Sequence, residues 1–273
     1  MKVGVLGPHG TYSEQAARNH FGDAAKLVYF QLITDIAEAV AKGKIDCGII
    51  PVESLREGSV GEALDALAWE DIKVQAEMVL TVTYSLLGIK GARKKNITQV
   101  LSHPQAIAQC RDFLRKHLPK AEVMEVSSTA RAAERVAKLR QPQMAAIGSS
   151  ALARLYGLEV MSKNIQTSDL NQTRFFYISK SDGKRTGKDK TSIVFYTAKD
   201  KPGILHKILG EFANRGINLT KIESRPSKKA LGDYLFFIDL EGHRADPKVK
   251  EALNALKNKT AMLKVIGSYQ KKF

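Results

Sequence analysis

Between residues 99 and 156 one local pattern occurs three times: a short apolar run stops at a hydroxyl-rich junction, and helical spacing follows. Residues 99–101 end at Ser102-His103-Pro104, residues 122–126 at Ser127-Ser128-Thr129, and residues 144–147 at Gly148-Ser149-Ser150. The helices that follow are expected to run to about Lys116, Leu139 and Tyr156. Repeated strand-to-helix units confine the segment to an α/β fold with a largely parallel sheet. The N-terminal part obeys the same rule. Residues 2–6 read as a strand, followed by the turn Gly7-Pro8-His9-Gly10 and a helix over 13–21. Residues 34–42 and 60–67 have helical spacing, 46–51 reads as a short strand, and 78–87 is rich in β-formers.

The pattern stops at residues 181–190, a polar, charged, glycine-containing stretch that reads as a linker. Beyond it the order of elements changes. A strand is expected over 191–198, ending at Ala198. A helix over 202–215 carries Ile204, Leu205, Ile208, Leu209 and Phe212 on one side and stops at Gly216, a residue able to take positive φ. Strands over 218–224 and 234–240 are joined by a loop through Pro226 and Gly232, and a helix over 248–256 precedes a last strand over 261–269. The order βαββαβ is that of a small ferredoxin-like domain.

Composition removes several function classes. A hydrophobic fraction of 44% and a charged fraction of 26% belong to a folded globular chain, not a disordered one. The longest apolar candidate, residues 78–89, is interrupted by Thr81, Thr83, Tyr84, Ser85 and Gly88, short of the roughly 18 residues a membrane helix needs. The N-terminus lacks a signal-like apolar region, so no membrane association and a cytoplasmic location are expected. Cys47 and Cys110 read as buried free thiols, not as a disulfide scaffold or metal site. The net charge of +15 raises nucleic-acid binding as a reading. The charge is scattered, however, with no recognition helix and no aromatic-rich basic stripe, so no nucleic-acid partner is expected. A basic field also concentrates a small dianion.

Without a Walker loop, a GxGxxG turn, an HExxH pair or a cysteine-based metal motif, the chemistry must rest on ordinary side chains and helix ends, with no cofactor or metal expected. Thr11 and Glu14 fit a capping box, with Thr11 as N-cap. Each hydroxyl-rich junction read alone is a plain helix cap. Several converging at strand ends favour a small-anion cleft. Asn171-Gln172-Thr173-Arg174-Phe175 opens a strand, and from the residues alone it reads as a surface turn before it reads as a catalytic segment.

Gly7-Pro8-His9-Gly10-Thr11-Tyr12-Ser13-Glu14-Gln15-Ala16-Ala17 resembles the opening motif of prephenate dehydratases. Ser102-His103-Pro104-Gln105-Ala106 resembles their HPQA segment, Ser128-Thr129-Ala130 their STA segment, and Asn171 to Phe175 their N-x-T-R-F signature. The second part resembles the ACT regulatory domain, with Pro202-Gly203-Ile204-Leu205-His206 and Glu223-Ser224-Arg225-Pro226 matching its two effector motifs. One run departs from the family. Where its pattern is P-[IV]-E-N-S-x-x-G-S-V, this chain has Ser54 for the asparagine and Leu55 for the serine, while Glu53, Gly58 and Ser59 are kept.

The resemblance implies a two-lobed catalytic domain, periplasmic-binding-protein-like (type II), over 1–180. Lobe one would be about 1–77 plus 157–180 and lobe two about 78–156, hinged near Met78 and Gly157. It implies an ACT domain over 191–273. The implied reaction is the loss of CO2 and water from prephenate to give phenylpyruvate in phenylalanine biosynthesis, with no cofactor. Thr173 is then the candidate catalytic donor at the leaving hydroxyl, with Glu53 or a water completing a proton relay. Substrate contacts are expected from Thr11, Ser13, Ser54, Ser102, His103, Ser128, Thr129, Asn171, Arg174 and Phe175. Two of these have structural readings as well: Arg174 as an internal salt bridge and His103 as a helix cap. Phe175 reads as core. Phenylalanine is the implied effector, at Gly203, Ile204, Leu205, Asn218, Leu219 and Glu223 to Pro226, in a homodimer or homotetramer. Arogenate dehydratase, a non-aromatising decarboxylase and a non-catalytic small-anion or amino-acid sensor are the alternatives.

Overall fold

The computed structural model describes residues 1–168, 170–197, 202–228 and 233–272. Ala198, Gly232 and Phe273, assigned above to a strand end, a loop and the end of the second domain, lie outside the described residues. In chain order the elements are β1 (Lys2–Leu6), α1 (Tyr12–Phe21), β2 (Lys26–Phe30), α2 (Ile33–Ala41), β3 (Cys47–Ser54), β4 (Gly58–Ser59), α3 (Gly61–Trp69), β5 (Lys73–Thr81), β6 (Ser85–Gly88) and β7 (Gln99–Ser102). Then come α4 (Pro104–Gln109), α5 (Arg111–His117), β8 (Glu122–Glu125), α6 (Thr129–Leu139), β9 (Met144–Gly148), α7 (Ser150–Tyr156), β10 (Glu159–Ser162) and β11 (Gln172–Ser179). The last are β12 (Asp189–Tyr196), α8 (Ile204–Ala213), β13 (Leu219–Pro226), β14 (Tyr234–Glu241), α9 (Pro247–Lys257) and β15 (Met262–Gln270). No helix among the described residues is long and apolar enough to cross a membrane.

The chain packs as two compact units. The first comprises Met1–Ile36, Ile49–Val60 and Val79–Phe175, and the second Ala37–Gly48, Gly61–Met78 and Phe176–Phe273. The first unit holds two sheets. In one, β2 pairs parallel to β1, β3 lies on the other side of β1, and β4 folds back on β3 with Glu53 opposite Ser59. The start of β11 continues this sheet beside β3. The other sheet has the order β10-β6-β9-β7-β8, with β7 parallel to both neighbours. Its two faces are covered by separate apolar clusters, one around Leu86, Val100 and Ile147 and one around Leu101, Ala133 and Val136.

The strands and helices fall close to the expected positions, with three differences. First, β2 and β10 carry no clear sequence signal, being short and half-exposed. Second, the return to lobe one comes later than residue 157. Gly157 ends α7 in a left-handed conformation, the chain doubles back as β10 against β6, and Ile165 enters the second sheet's core. Further along, the Val82 amide donates to the Asn171 carbonyl at 2.8 Å. Third, the helix expected over 104–116 is broken at Cys110. The Gln109 carbonyl, which would accept the next helical turn, takes the Thr167 amide at 2.9 Å and the Thr167 hydroxyl at 3.1 Å.

The second unit carries the βαββαβ order as β12-α8-β13-β14-α9-β15, in a sheet ordered β13-β14-β12-β15 with β5 beside β15. α8 and α9 cover one face through Ile208, Phe212, Leu253 and Leu256. Close approach to β5 requires glycine at 267: a Cβ there would stand 2.4 Å from the Val74 carbonyl oxygen. Strand β12 begins at Asp189, whose carboxylate accepts the Thr186 and Gly187 amides and shapes the segment before it. The buried Lys190 ammonium donates to the buried Glu77 carboxylate at 3.2 Å, and Glu77 also takes the Lys272 amide at 3.0 Å.

Candidate active site

The first unit encloses a cavity of about 580 Å³. On one side it is lined by the end of β1, the start of α1 and the 54–60 turn. On the other it is lined by Val82, Tyr84, His103 and the residues before α6. The size suits a small organic acid.

Local chemistry shapes each wall. Thr11 caps α1: its hydroxyl accepts the Glu14 amide at 3.3 Å and donates to the Leu6 carbonyl at 2.7 Å. The capping box closes one residue further back than expected, because the Glu14 carboxylate takes the Gly10 amide at 2.8 Å, along with His9 at 2.5 Å and Arg18 at 3.0 Å. Burial opposes the Glu14 charge, but these bonds outweigh it and hold its pKa below the usual carboxylate value. Ser128 caps α6 by accepting the Arg131 amide at 3.0 Å, which leaves its O–H for the cavity. Thus α1 and α6 both present capped N-termini to one space, and both favour an anion there.

The signature strand supplies the floor. Strand alternation places Asn171, Thr173 and Phe175 on the cavity side and turns Arg174 away. No side-chain hydrogen bond occupies Thr173 among the described residues. The buried Arg174 pairs with Glu53 at 3.4 Å. Neither Arg174 nor Glu53 lines the cavity, so the structure gives Arg174 its salt-bridge reading. Glu53 sits beside Ser54, which does face the cavity. The Ser54 hydroxyl accepts the Arg56 and Glu57 amides at 3.3 and 3.4 Å, shaping the turn, and Leu55 points to solvent. Ser102 is also absent from the cavity. It is fully buried, and its hydroxyl donates to the Ile147 carbonyl at 2.7 Å.

His103 caps a helix and also faces the cavity. Its Nδ1 accepts the Gln105 amide at 3.3 Å and caps α4, so the ring proton resides on Nε2, and the ring lines the cavity. Burial lowers its pKa against the pull of Glu125 and Glu57. Sequence reasoning missed Tyr12, Tyr84, Gln109 and Glu57, all of which line the cavity. The Tyr12 hydroxyl spans to the second sheet's side, donating to the Thr83 carbonyl at 2.6 Å. Burial pushes the pKa of both tyrosines up, so both are neutral. Their signal was weak because an aromatic residue at a helix start or beside a strand reads as core. Among the described residues, no lysine or arginine lines the cavity. An anion there is met by neutral N–H and O–H donors. No cluster of three or more His, Cys, Asp or Glu that could hold a metal occurs among the described residues.

Residues 3–183 match the family model described as prephenate dehydratase, and residues 191–258 match the ACT domain. The chain belongs to the prephenate dehydratase family. It is 46% identical over 271 residues to a bifunctional chorismate mutase/prephenate dehydratase of Aquifex aeolicus, covering 99% of this chain and 74% of that protein. It is 41% identical over 268 residues to a prephenate dehydratase of Methanocaldococcus jannaschii, covering 96% and 95%. The crystal structure of a prephenate dehydratase in complex with L-Phe from Arthrobacter aurescens superposes with a TM-score of 0.91 at 33% identity, covering 99% of this chain and 90% of that one. The family assignment makes the chain a carbon–oxygen lyase.

In the ACT part the expected effector residues fall on two places. Gly203, at φ +82, is the N-cap of α8, and Ile204 and Leu205 are half-buried against the helical core. Asn218 is exposed, with its carbonyl accepting the Glu241 amide at 2.9 Å, and Leu219 packs on the same core. Glu223 lies between Lys221 at 3.2 Å and Arg225 at 3.9 Å, while Ser224 and Pro226 are exposed along β13. Arg225 turns toward α3, 3.8 Å from Asp65, and its guanidinium covers Gly61.

Proposed function

We propose that the cavity of the first unit binds prephenate and that Thr173 drives its aromatisation. The observation that carries this is Thr173 itself, without a side-chain hydrogen bond among the described residues and facing a space walled by two helix N-termini. Departure of the ring carboxylate as CO2 leaves its electron pair in the ring, and the opposite hydroxyl leaves as hydroxide. The charge balances, and aromaticity is the driving force. The Thr173 O–H meets the oxygen on which negative charge develops. Neutral donors suit the ring carboxylate, because a cation would hold it as a carboxylate and oppose loss of CO2. The Glu53–Arg174 pair acts as a positioning element, fixing β3 against β11 behind Thr173.

Residues 1–180 then hold the catalytic part, 181–190 the link and 191–273 the regulatory part, with L-phenylalanine the effector at the Gly203 and Glu223–Pro226 motifs. The L-Phe named with the Arthrobacter structure supports this reading. A homodimer or homotetramer in the cytoplasm completes the proposal, β13 being the last strand of its sheet and thus open to a second copy. A second reading has one observation in its favour. Among the described residues, Glu57 is the only carboxylate on the cavity wall, with no lysine or arginine opposing it. That charge favours arogenate, which carries an ammonium where prephenate has a keto group.

The test is phenylpyruvate formation from prephenate against phenylalanine formation from arogenate, each with and without added phenylalanine, alongside the mass in solution. Higher kcat/KM on prephenate with inhibition by phenylalanine is expected. Higher kcat/KM on arogenate would transfer the assignment to the second reading.

A further inference from the structure

Strands β3 and β4 make a hairpin whose tip reaches the cavity. Glu53 pairs with Ser59 and Ser54 with Gly58, which leaves Leu55, Arg56 and Glu57 as a three-residue tip. Gly58 closes the tip at φ +78, the left-handed conformation that such a turn needs. Two sets of bonds fix its path. The Ser54 hydroxyl accepts the Arg56 and Glu57 amides at 3.3 and 3.4 Å, and the Leu55 amide donates to the Gln172 carbonyl at 2.9 Å. Ser54 is also the position at which this chain first departs from the P-[IV]-E-N-S pattern. Leu55 is 61% exposed, whereas Glu57 lines the cavity. Among the described residues the Glu57 carboxylate has no hydrogen bond or ion pair, and no other carboxylate, lysine or arginine stands on the cavity wall. Groups on the facing wall feel that charge. It adds to the burial that keeps Tyr84 neutral, and together with Glu125 it works against burial at His103.

We propose that Glu57 is the specificity-determining residue of the cavity, its carboxylate disfavouring a substrate of net charge −2 relative to one whose side chain also carries an ammonium. This rests on the dehydratase reading of the cavity and holds whichever of the two substrates is turned over faster. Prephenate and arogenate share the ring, the hydroxyl and both carboxylates, so the neutral donors of the wall meet the same groups in each. They differ at one side-chain carbon, a ketone in prephenate and a protonated amine in arogenate. A space of about 580 Å³ is about 10 Å across if round, comparable to the distance over which about 0.1 M salt screens a charge. Glu57 therefore acts on the bound side chain without having to touch it. Repulsion of one substrate gives selectivity as surely as a new contact to the other.

The test compares wild type, Glu57→Gln and Arg56→Gln on prephenate and on arogenate. Glu57→Gln keeps the size of the side chain and the amide bonded to Ser54, and removes only the charge. Its kcat/KM is expected to rise on prephenate and to fall on arogenate, moving the ratio of the two by roughly five- to twenty-fold, the scale of one unit charge across a partly solvated cavity. The shift falls in KM, and the gap between wild type and variant narrows as NaCl is raised. Arg56→Gln removes a charge from the same tip but away from the cavity, and leaves the ratio at the wild-type value. An unchanged ratio in Glu57→Gln, or equal changes on both substrates, overturns the proposal while leaving the dehydratase reading standing. So does an equal shift in Arg56→Gln, which would assign the effect to the general surface field. A wild-type protein that turns over neither substrate above the spontaneous rate overturns the dehydratase reading, and this proposal with it.

Discussion

A hydroxyl at a strand-to-helix junction has two possible employers, the fold and the ligand, and the two give opposite mutational signatures. Ser102 is employed by the fold. Its Oγ–H donates to the Ile147 carbonyl at full burial. Ser102→Ala is expected to cost about 1–3 kcal/mol of stability in urea denaturation while KM stays within two-fold. Ser128 accepts a backbone amide and keeps its hydrogen for the cavity, so Ser128→Ala is expected to raise KM as well as to weaken α6 by about 1 kcal/mol. Sequence could place both residues at junctions but could not say where each hydroxyl pointed, because that depends on a carbonyl 45 residues away. His103 carries a pH signature. Burial lowers its pKa, so the neutral Nε2–H donor persists as pH falls through the ordinary histidine value of about 6.5. Activity corrected for spontaneous aromatisation is expected to stay level through that range and to fall only below it. Stability moves with the same sign: the unfolded chain takes up the proton first, so His103's contribution declines as pH drops below the unfolded value.

At the scale of elements, periodicity was a good guide where burial is one-sided and a poor one where a distant backbone intervenes. The α6 pattern, with Ala130, Ala133 and Val136 buried, was readable because one face meets the core. The break between α4 and α5 was not, because it is made by Thr167 bonding to Gln109. β10 was missed because an edge strand with little burial carries little alternation. Strand alternation in β11 was legible in principle and assigns Thr173 and Arg174 to opposite faces, yet motif membership grouped them as substrate contacts. Two glycines give a paired test of packing within the second unit. At Gly267 a methyl would meet the Val74 backbone at 2.4 Å, which cannot yield locally. At Gly61 it would meet the Arg225 guanidinium at 2.6 Å, the mobile end of a long side chain. Gly267→Ala is therefore expected to lose about 1–3 kcal/mol or more, and Gly61→Ala much less, in parallel denaturant melts.

At the scale of the whole molecule, the family motifs carried the fold and activity well, while the direction each effector-motif side chain takes was invisible to them. Arg225 belongs to an effector motif by resemblance but turns toward Asp65 and Gly61, the residue that begins α3 directly after the cavity-lining Ser59 and Val60. Displacing that guanidinium with Gly61→Ala is expected to shift the phenylalanine concentration for half-inhibition on the order of five-fold, the scale of 1 kcal/mol of coupling. An unchanged inhibition curve would mean that Arg225 does not communicate through α3. All of this depends on Thr173 as the group that meets the departing hydroxyl. The most direct measurement is kcat for phenylpyruvate formation from prephenate at neutral pH, by wild type and by Thr173→Ala of equal melting temperature. The expected result is a fall of about 10²–10³ in kcat in the variant, the scale of one lost oxyanion donor. A Thr173→Ala protein that turns over prephenate at the wild-type rate would contradict the account at its centre.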